Sequence, residues 1–119
     1  MNKRKEELAR RKIINLIRPS NRKANCLVFY KNETYEHKKL KFEVFVQLQE
    51  LGYEVIYSEC IFLNGKRADL VAIKGGRGIG IEVLSSETKQ ECSVKLKKYP
   101  KEIDWFMVKD KLDITLLPI

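Results

Sequence analysis

Two carboxylates, Asp69 and Glu82, stand in the most apolar part of the chain, Arg67-Ala-Asp-Leu-Val-Ala-Ile-Lys-Gly-Gly-Arg-Gly-Ile-Gly-Ile-Glu-Val-Leu84. Their neighbours are β-branched or aliphatic and favour buried strands. A buried carboxylate is costly unless it is paired or holds a cation. Two of them on adjacent strands repel unless a metal ion or a shared proton lies between them. One reading is therefore an oxygen-ligand site for a hard divalent cation. The other is that each acid sits at a strand end and meets solvent. Spacing alone does not choose between the two.

A second set of polar groups lies on an amphipathic stretch from Tyr35 to Leu51. At about 100° per residue, Leu40, Val44, Leu48 and Leu51 define one apolar arc. His37 and Lys41 point into that arc, and Glu43 lies near its edge. A lysine among leucines either snorkels to water or reaches a carboxylate beneath. A lone histidine there is commonly a satisfied structural residue.

The elements that position these groups follow from turn and cap signals. Asp69–Ile73 and Ile79–Leu84 read as strands joined by a turn at Gly75-Gly76-Arg77-Gly78. Thr34 caps the helix over 35–51, His37 falls at its third position instead of a capping-box acid, and Gly52 ends it. Upstream, Glu6–Ile17 reads as a helix stopped by Pro19, and Asn25–Tyr30 as a strand. Downstream, Tyr53–Tyr57 and Cys60–Leu63 read as strands on either side of Glu59, with a turn at Asn64-Gly65. Ser86–Lys98 reads as a short exposed helix ended by Pro100. Trp105–Val108 and Ile114–Leu117 read as the last strands.

At 119 residues the chain is long enough for one domain with a real core. Its formal charge of +8 is unevenly placed. Residues 1–23 hold nine Lys/Arg and two Glu, while 24–119 hold fifteen Lys/Arg and fourteen Asp/Glu. The organisation expected is a basic N-terminal helix or arm over 1–23 and a single domain over 24–119. Such a cluster suits a phosphate backbone, an anionic membrane surface or simply a solvated helix face. No apolar run approaches the ~20 residues of a membrane span, and the charged N-terminus does not read as a secretory signal. Cys26, Cys60 and Cys92 form neither a disulfide framework nor a zinc pattern, so a cytoplasmic protein with reduced thiols is expected. Gly75–Gly80 lacks the Lys-Ser/Thr of a phosphate loop and leads into a strand.

The order helix, Glu59, Asp69 strand, Glu82 strand, helix resembles the PD-(D/E)xK nuclease superfamily. Leu84 stands where that motif has its lysine. The segments His37-x-x-x-Lys41, Glu59, Arg67-Ala-Asp69, Ile81-Glu-Val-Leu-Ser-Ser86 and Leu96-Lys-Lys-Tyr99 look more specifically like the CoiA-like competence proteins. Archaeal Holliday-junction resolvases are a second resemblance, in size, basicity and an Asp…Glu hairpin. The resemblance implies an α/β fold with a restriction-endonuclease-like core, a central mixed sheet flanked by helices. It implies a DNA phosphodiesterase using Mg2+ or Mn2+, held by Asp69 and Glu82 with Glu59 or Glu43 as a further ligand. Lys41 is then the displaced lysine, with His37 orienting it or touching phosphate. Ser86 and Lys89 line the substrate groove; Lys38, Lys39, Arg67, Lys95, Lys97 and Lys98 are further contacts to nucleic acid. Tyr99 and Trp105 read as core more than as stacking platforms. A homodimer fits a small nuclease acting on two strands. The alternatives are an inactive DNA-binding protein of the same fold, given Leu84, and a dimeric adaptor assembled through the N-terminal helix.

Overall fold

Gly75 and Gly76, at φ +55° and +84°, close a two-residue turn that only left-handed backbone permits. They join strands β2 (Arg67–Lys74) and β3 (Arg77–Val83) of a computed structural model that describes residues 2–117. Helices α1 (Lys3–Ile14) and α2 (Tyr35–Glu50) and strand β1 (Val55–Ile61) precede this hairpin; α3 (Lys89–Leu96) and β4 (Asp104–Val108) follow it. The four strands form one mixed sheet in the order β1-β2-β3-β4. The first three pair antiparallel, and β4 lies parallel to β3, which requires the crossover that α3 supplies.

Both faces of the sheet are covered, which explains why Leu70–Ile73 reads as an unbroken apolar run: all four residues are fully buried. On one face, Leu40, Val44, Phe45 and Leu48 of α2 pack on Ile56, Leu70, Ile81 and Val83. On the other, Ile13 and Ile17 join Phe62, Val71, Ile73 and Tyr99. The basic α1 thus packs back onto the sheet, presenting its cations outward. Two glycines of β3 leave room for close neighbours, Gly78 for α1 and Gly80 for the Trp105 ring of β4. A Cβ on Gly78 would stand 2.8 Å from the Ile13 side chain, and one on Gly80 would stand 2.2 Å from the Trp105 ring.

Thr34 accepts from the His37 amide at the start of α2, and Gly52 after it sits at φ +91°, as the sequence predicts. Phe45 adds to the buried arc. Four expectations are corrected. Asn25–Tyr30 forms no strand: Asn25 at φ +60° turns its side chain onto Glu54 and Ile56, leaving only a Cys26–Tyr57 bridge. The strands expected on either side of Glu59 are one, with Glu59 inside it at φ +50°. Residues Ile114–Leu116 form a 3-10 turn because Asp113 accepts from both the Thr115 amide and hydroxyl. The first helix stops at Ile14, and Ile17 pairs with Phe62. Among the described residues, no helix is long and apolar enough to cross a membrane.

Candidate active site

Strand register brings three acids to one level. Ser58 lies opposite Leu70 and Cys60 opposite Ala68, so Glu59 faces Asp69; Leu70 lies opposite Ile81, so Asp69 faces Glu82. Regular pairing lapses at this row. Glu59 has left the extended region, and the Val83 amide donates to Asp69 Oδ2 at 2.7 Å. The row divides into two clusters of different character.

Asp69 and Glu82 share a cleft of ≈ 490 Å³ with Arg18, Lys66, Arg67, Lys95 and Tyr99. Glu82 is 2 % exposed, and its Oε1 has no hydrogen-bond partner among the described residues. Lys95 Nζ approaches its Oε2 at 3.5 Å and Glu87 Oε1 at 3.9 Å. Burial, reinforced by the charge of Asp69, pushes the Glu82 carboxyl up to about 8. Asp69 goes the other way. Burial works against its charge, but the contacts with His37 and the Val83 amide prevail and hold its pKa below the ordinary value. His37 Nε2 lies 3.7 Å from Asp69 Oδ1, and that contact raises the imidazole pKa. Adjacent carboxyls with divergent affinities for protons are typical of sites that handle charge. Tyr99 donates to the Arg67 carbonyl at 2.7 Å, which fixes the cleft wall.

Glu59 belongs to the second cluster. Lys41 is fully buried, with Nζ 2.7 Å from Glu33 Oε1 and 3.0 Å from Glu59 Oε1. Arg67 Nε adds a contact at 3.5 Å to Glu59 Oε2. Burial and the nearby Glu33 raise the Glu59 pKa; Glu33, despite its own burial, is lowered by Lys41.

The expected site residues separate accordingly. Asp69 and Glu82 come together, and His37 reaches Asp69. The amine of Lys41 is occupied by Glu33 and Glu59, whereas Lys95, expected to grip substrate further out, is the lysine on Glu82. Glu43 is corrected: two residues beyond Lys41 the helix has turned by about 200°, so Glu43 is exposed in an outer cleft with Lys39, Lys109 and Asp110. Ser86 is exposed in a groove of ≈ 440 Å³ with His37 and Leu84. Lys89 lines a separate cleft of ≈ 680 Å³ with Gln47 and Phe106, away from the acid row. Lys38 is half-buried; Lys97 and Lys98 are exposed on the surface. Tyr99 and Trp105 stack edge to face at 4.7 Å, with Phe62 beside them, as core. Glu33, Arg18 and Lys66 escaped the sequence reading. Glu33 alone left a trace, an acid two helical turns before Lys41.

Among the described residues no group of three or more His, Cys, Asp and Glu side chains is arranged to hold a metal ion. The oxygen pair at Asp69 and Glu82 is the arrangement that remains. Comparison with descriptions of protein families, with curated proteins and with solved structures finds no match.

Proposed function

We propose that the chain is a metal-dependent DNA phosphodiesterase with a restriction-endonuclease-like core. The observation that carries this reading is a cleft lined by the buried Glu82 and the half-buried Asp69, whose charges repel, with Arg18, Lys66, Arg67 and Lys95 around them. A mixed sheet with helices on both faces, and the acids on a central hairpin, agrees with the core that the motif resemblance implies. The basic excess of the chain, +8, fits a polyanionic substrate.

The donor set suits magnesium or manganese. Mg2+ is commonly bound through one or two carboxylates, with water and substrate phosphate completing its shell. The unpartnered Glu82 Oε1, buried beside a second carboxylate, is an acceptor that a cation would satisfy. Such an ion, when bound, lowers the pKa of water and neutralises charge developing on phosphate. Asp69 is held for this by the Val83 amide and His37. Leu84, where the motif has lysine, is buried and bonds the β4 backbone through its amide. Lys95 supplies the missing positive charge: its amine stands at Glu82 while the side chain remains 43 % exposed and free to swing. Arg18, Lys66 and Arg67 bind flanking phosphates, and Lys41 keeps Glu59 in place.

Incubation with supercoiled plasmid and with branched DNA tests the reading. Nicking that requires Mg2+ and is lost in Asp69→Ala is the expected result. Salt-sensitive binding with no cleavage under Mg2+ or Mn2+ would make the chain a DNA-binding protein instead. Neither binding nor cleavage, with a concentration-dependent dimer, would make it an adaptor.

A further inference from the structure

The segment over 26–33 carries Val28-Phe29-Tyr30 at the surface of the fold. It runs beside β1, an edge strand of the sheet. One end is tied by the Cys26–Tyr57 bridge and by the Val28 amide, which donates to the Ser58 hydroxyl at 2.9 Å. The other is tied by Glu33, which accepts from Lys41 at 2.7 Å. Between these ties the three side chains are 38 %, 44 % and 37 % exposed. A single exposed apolar residue is ordinary, whereas a contiguous run marks a surface with a use. Tethering at both ends holds the rings before any ligand arrives, which lowers the ordering cost of binding.

Charge identifies the occupant. The Arg67 guanidinium carbon lies 5.0 Å from the centre of the Tyr30 ring, and Lys41 Nζ lies 5.4 Å from that of Phe29. Arg67 also lines the cleft of Asp69 and Glu82, with Lys66 and Arg18 beyond it. The aromatic ledge and the acidic cleft therefore share a wall. An apolar protein surface docked here would strip water from the exposed Arg67, and from Lys66 and Arg18 beyond it, without pairing them. A polyanion carrying flat rings satisfies both the cations and the aromatics.

We propose that Phe29 and Tyr30 form a stacking ledge for unpaired nucleobases, with Arg67 taking the phosphate between the ledge and the cleft. The substrate is then DNA with a single-stranded portion, such as a flap, a tail or an open branch. This inference rests on the nuclease reading for its substrate class. Bases within a duplex have their faces covered by neighbours, so only unpaired ones can lie on a protein ring.

Fluorescence anisotropy without divalent metal tests it, using the full chain and three probes of equal length: an oligothymidylate of roughly a dozen nucleotides, a blunt duplex and an abasic strand. Phe29→Ala and Tyr30→Ala are each expected to weaken oligothymidylate binding about tenfold. Binding of the duplex and the abasic strand stays at the wild-type level, and Tyr30→Phe binds every probe as wild type does. Alanine variants that hold oligothymidylate as well as wild type, or that lose all three probes alike, overturn the ledge. So does self-association that Phe29→Ala abolishes while DNA binding is unchanged. Cleavage is read separately. The expected binding pattern without any Mg2+-dependent cleavage supports the ledge and sinks the nuclease; cleavage with indifferent alanine variants sinks the ledge alone.

Discussion

Glu33, Glu59 and Lys41 on one side of Asp69, and Asp69, Glu82 and Lys95 on the other, are the same chemical set: two carboxylates and one ammonium. The first set is closed. Its lysine is fully buried and within 3.0 Å of both acids. The second is open: its lysine is 43 % exposed and approaches Glu82 only to 3.5 Å. Each set keeps one buried carboxylate oxygen without a hydrogen-bond partner among the described residues, Glu33 Oε2 in the first and Glu82 Oε1 in the second. A set whose lysine is buried between its acids specifies structure; one whose lysine reaches in from the surface retains capacity for a ligand. The difference lies in how closely each lysine approaches its acids. Lys41 is fixed between the carboxylates by α2. Lys95 reaches in from the surface of α3.

The largest expected contrast comes from removing each lysine in turn. Lys41→Met removes the buried cation that Glu33 and Glu59 share and should destabilise the fold by about 3–5 kcal/mol, read from urea unfolding. Lys95→Met should leave stability within about 0.5 kcal/mol and lower Mg2+-dependent cleavage by roughly tenfold or more. If Lys41→Met unfolds no more easily than wild type, or if Lys95→Met cleaves at full rate, the division into closed and open sets is wrong.

A second contrast is expected with pH. Glu82 binds its proton more tightly in the folded state, at about 8, than at the ordinary value of 4.5. Between those values the folded protein holds a proton that the unfolded chain has released, so stability falls as pH rises. The decline approaches about 1.4 kcal/mol per pH unit. His37 adds in the same direction: its stabilising charge is present below the ordinary 6.5 and is lost as pH rises through its raised value. Asp69, with its pKa lowered, contributes oppositely, losing stability only in acid. Glu82→Gln should flatten most of the decline in unfolding free energy measured from weakly acidic pH to about 8. An unchanged slope would assign the effect to another group.

A further change is expected at the closest steric contact. Gly80→Ala puts a methyl 2.2 Å from the Trp105 ring, and displacing that ring should cost about 1–3 kcal/mol in urea unfolding. A neutral substitution would mean that the ring is free to move.

Much of this arrangement was legible before folding. The β2–β3 hairpin announces itself because β-branched runs flank a glycine pair, and α2 because its apolar arc lies between Thr34 and Gly52. Asp69 and Glu82 stand out because acids are rare in such strands. What the chain conceals is tertiary. Nothing in Asn25–Tyr30 separates a strand from a strap, since its apolar run suits both; the left-handed Asn25 decides it. Lys41 reads as a site lysine until Glu33 is seen beside it. Lys95, thirteen residues from Glu82 along the chain, becomes the lysine of the site only after α3 folds across β3.

The claim on which all this stands is that Asp69 and Glu82 jointly hold a divalent ion. Calorimetric titration of Mn2+ into wild type, Asp69→Asn and Glu82→Gln addresses it directly. The account predicts one saturable site in wild type and its loss in both variants. No binding in wild type, or equal binding in all three, would contradict it.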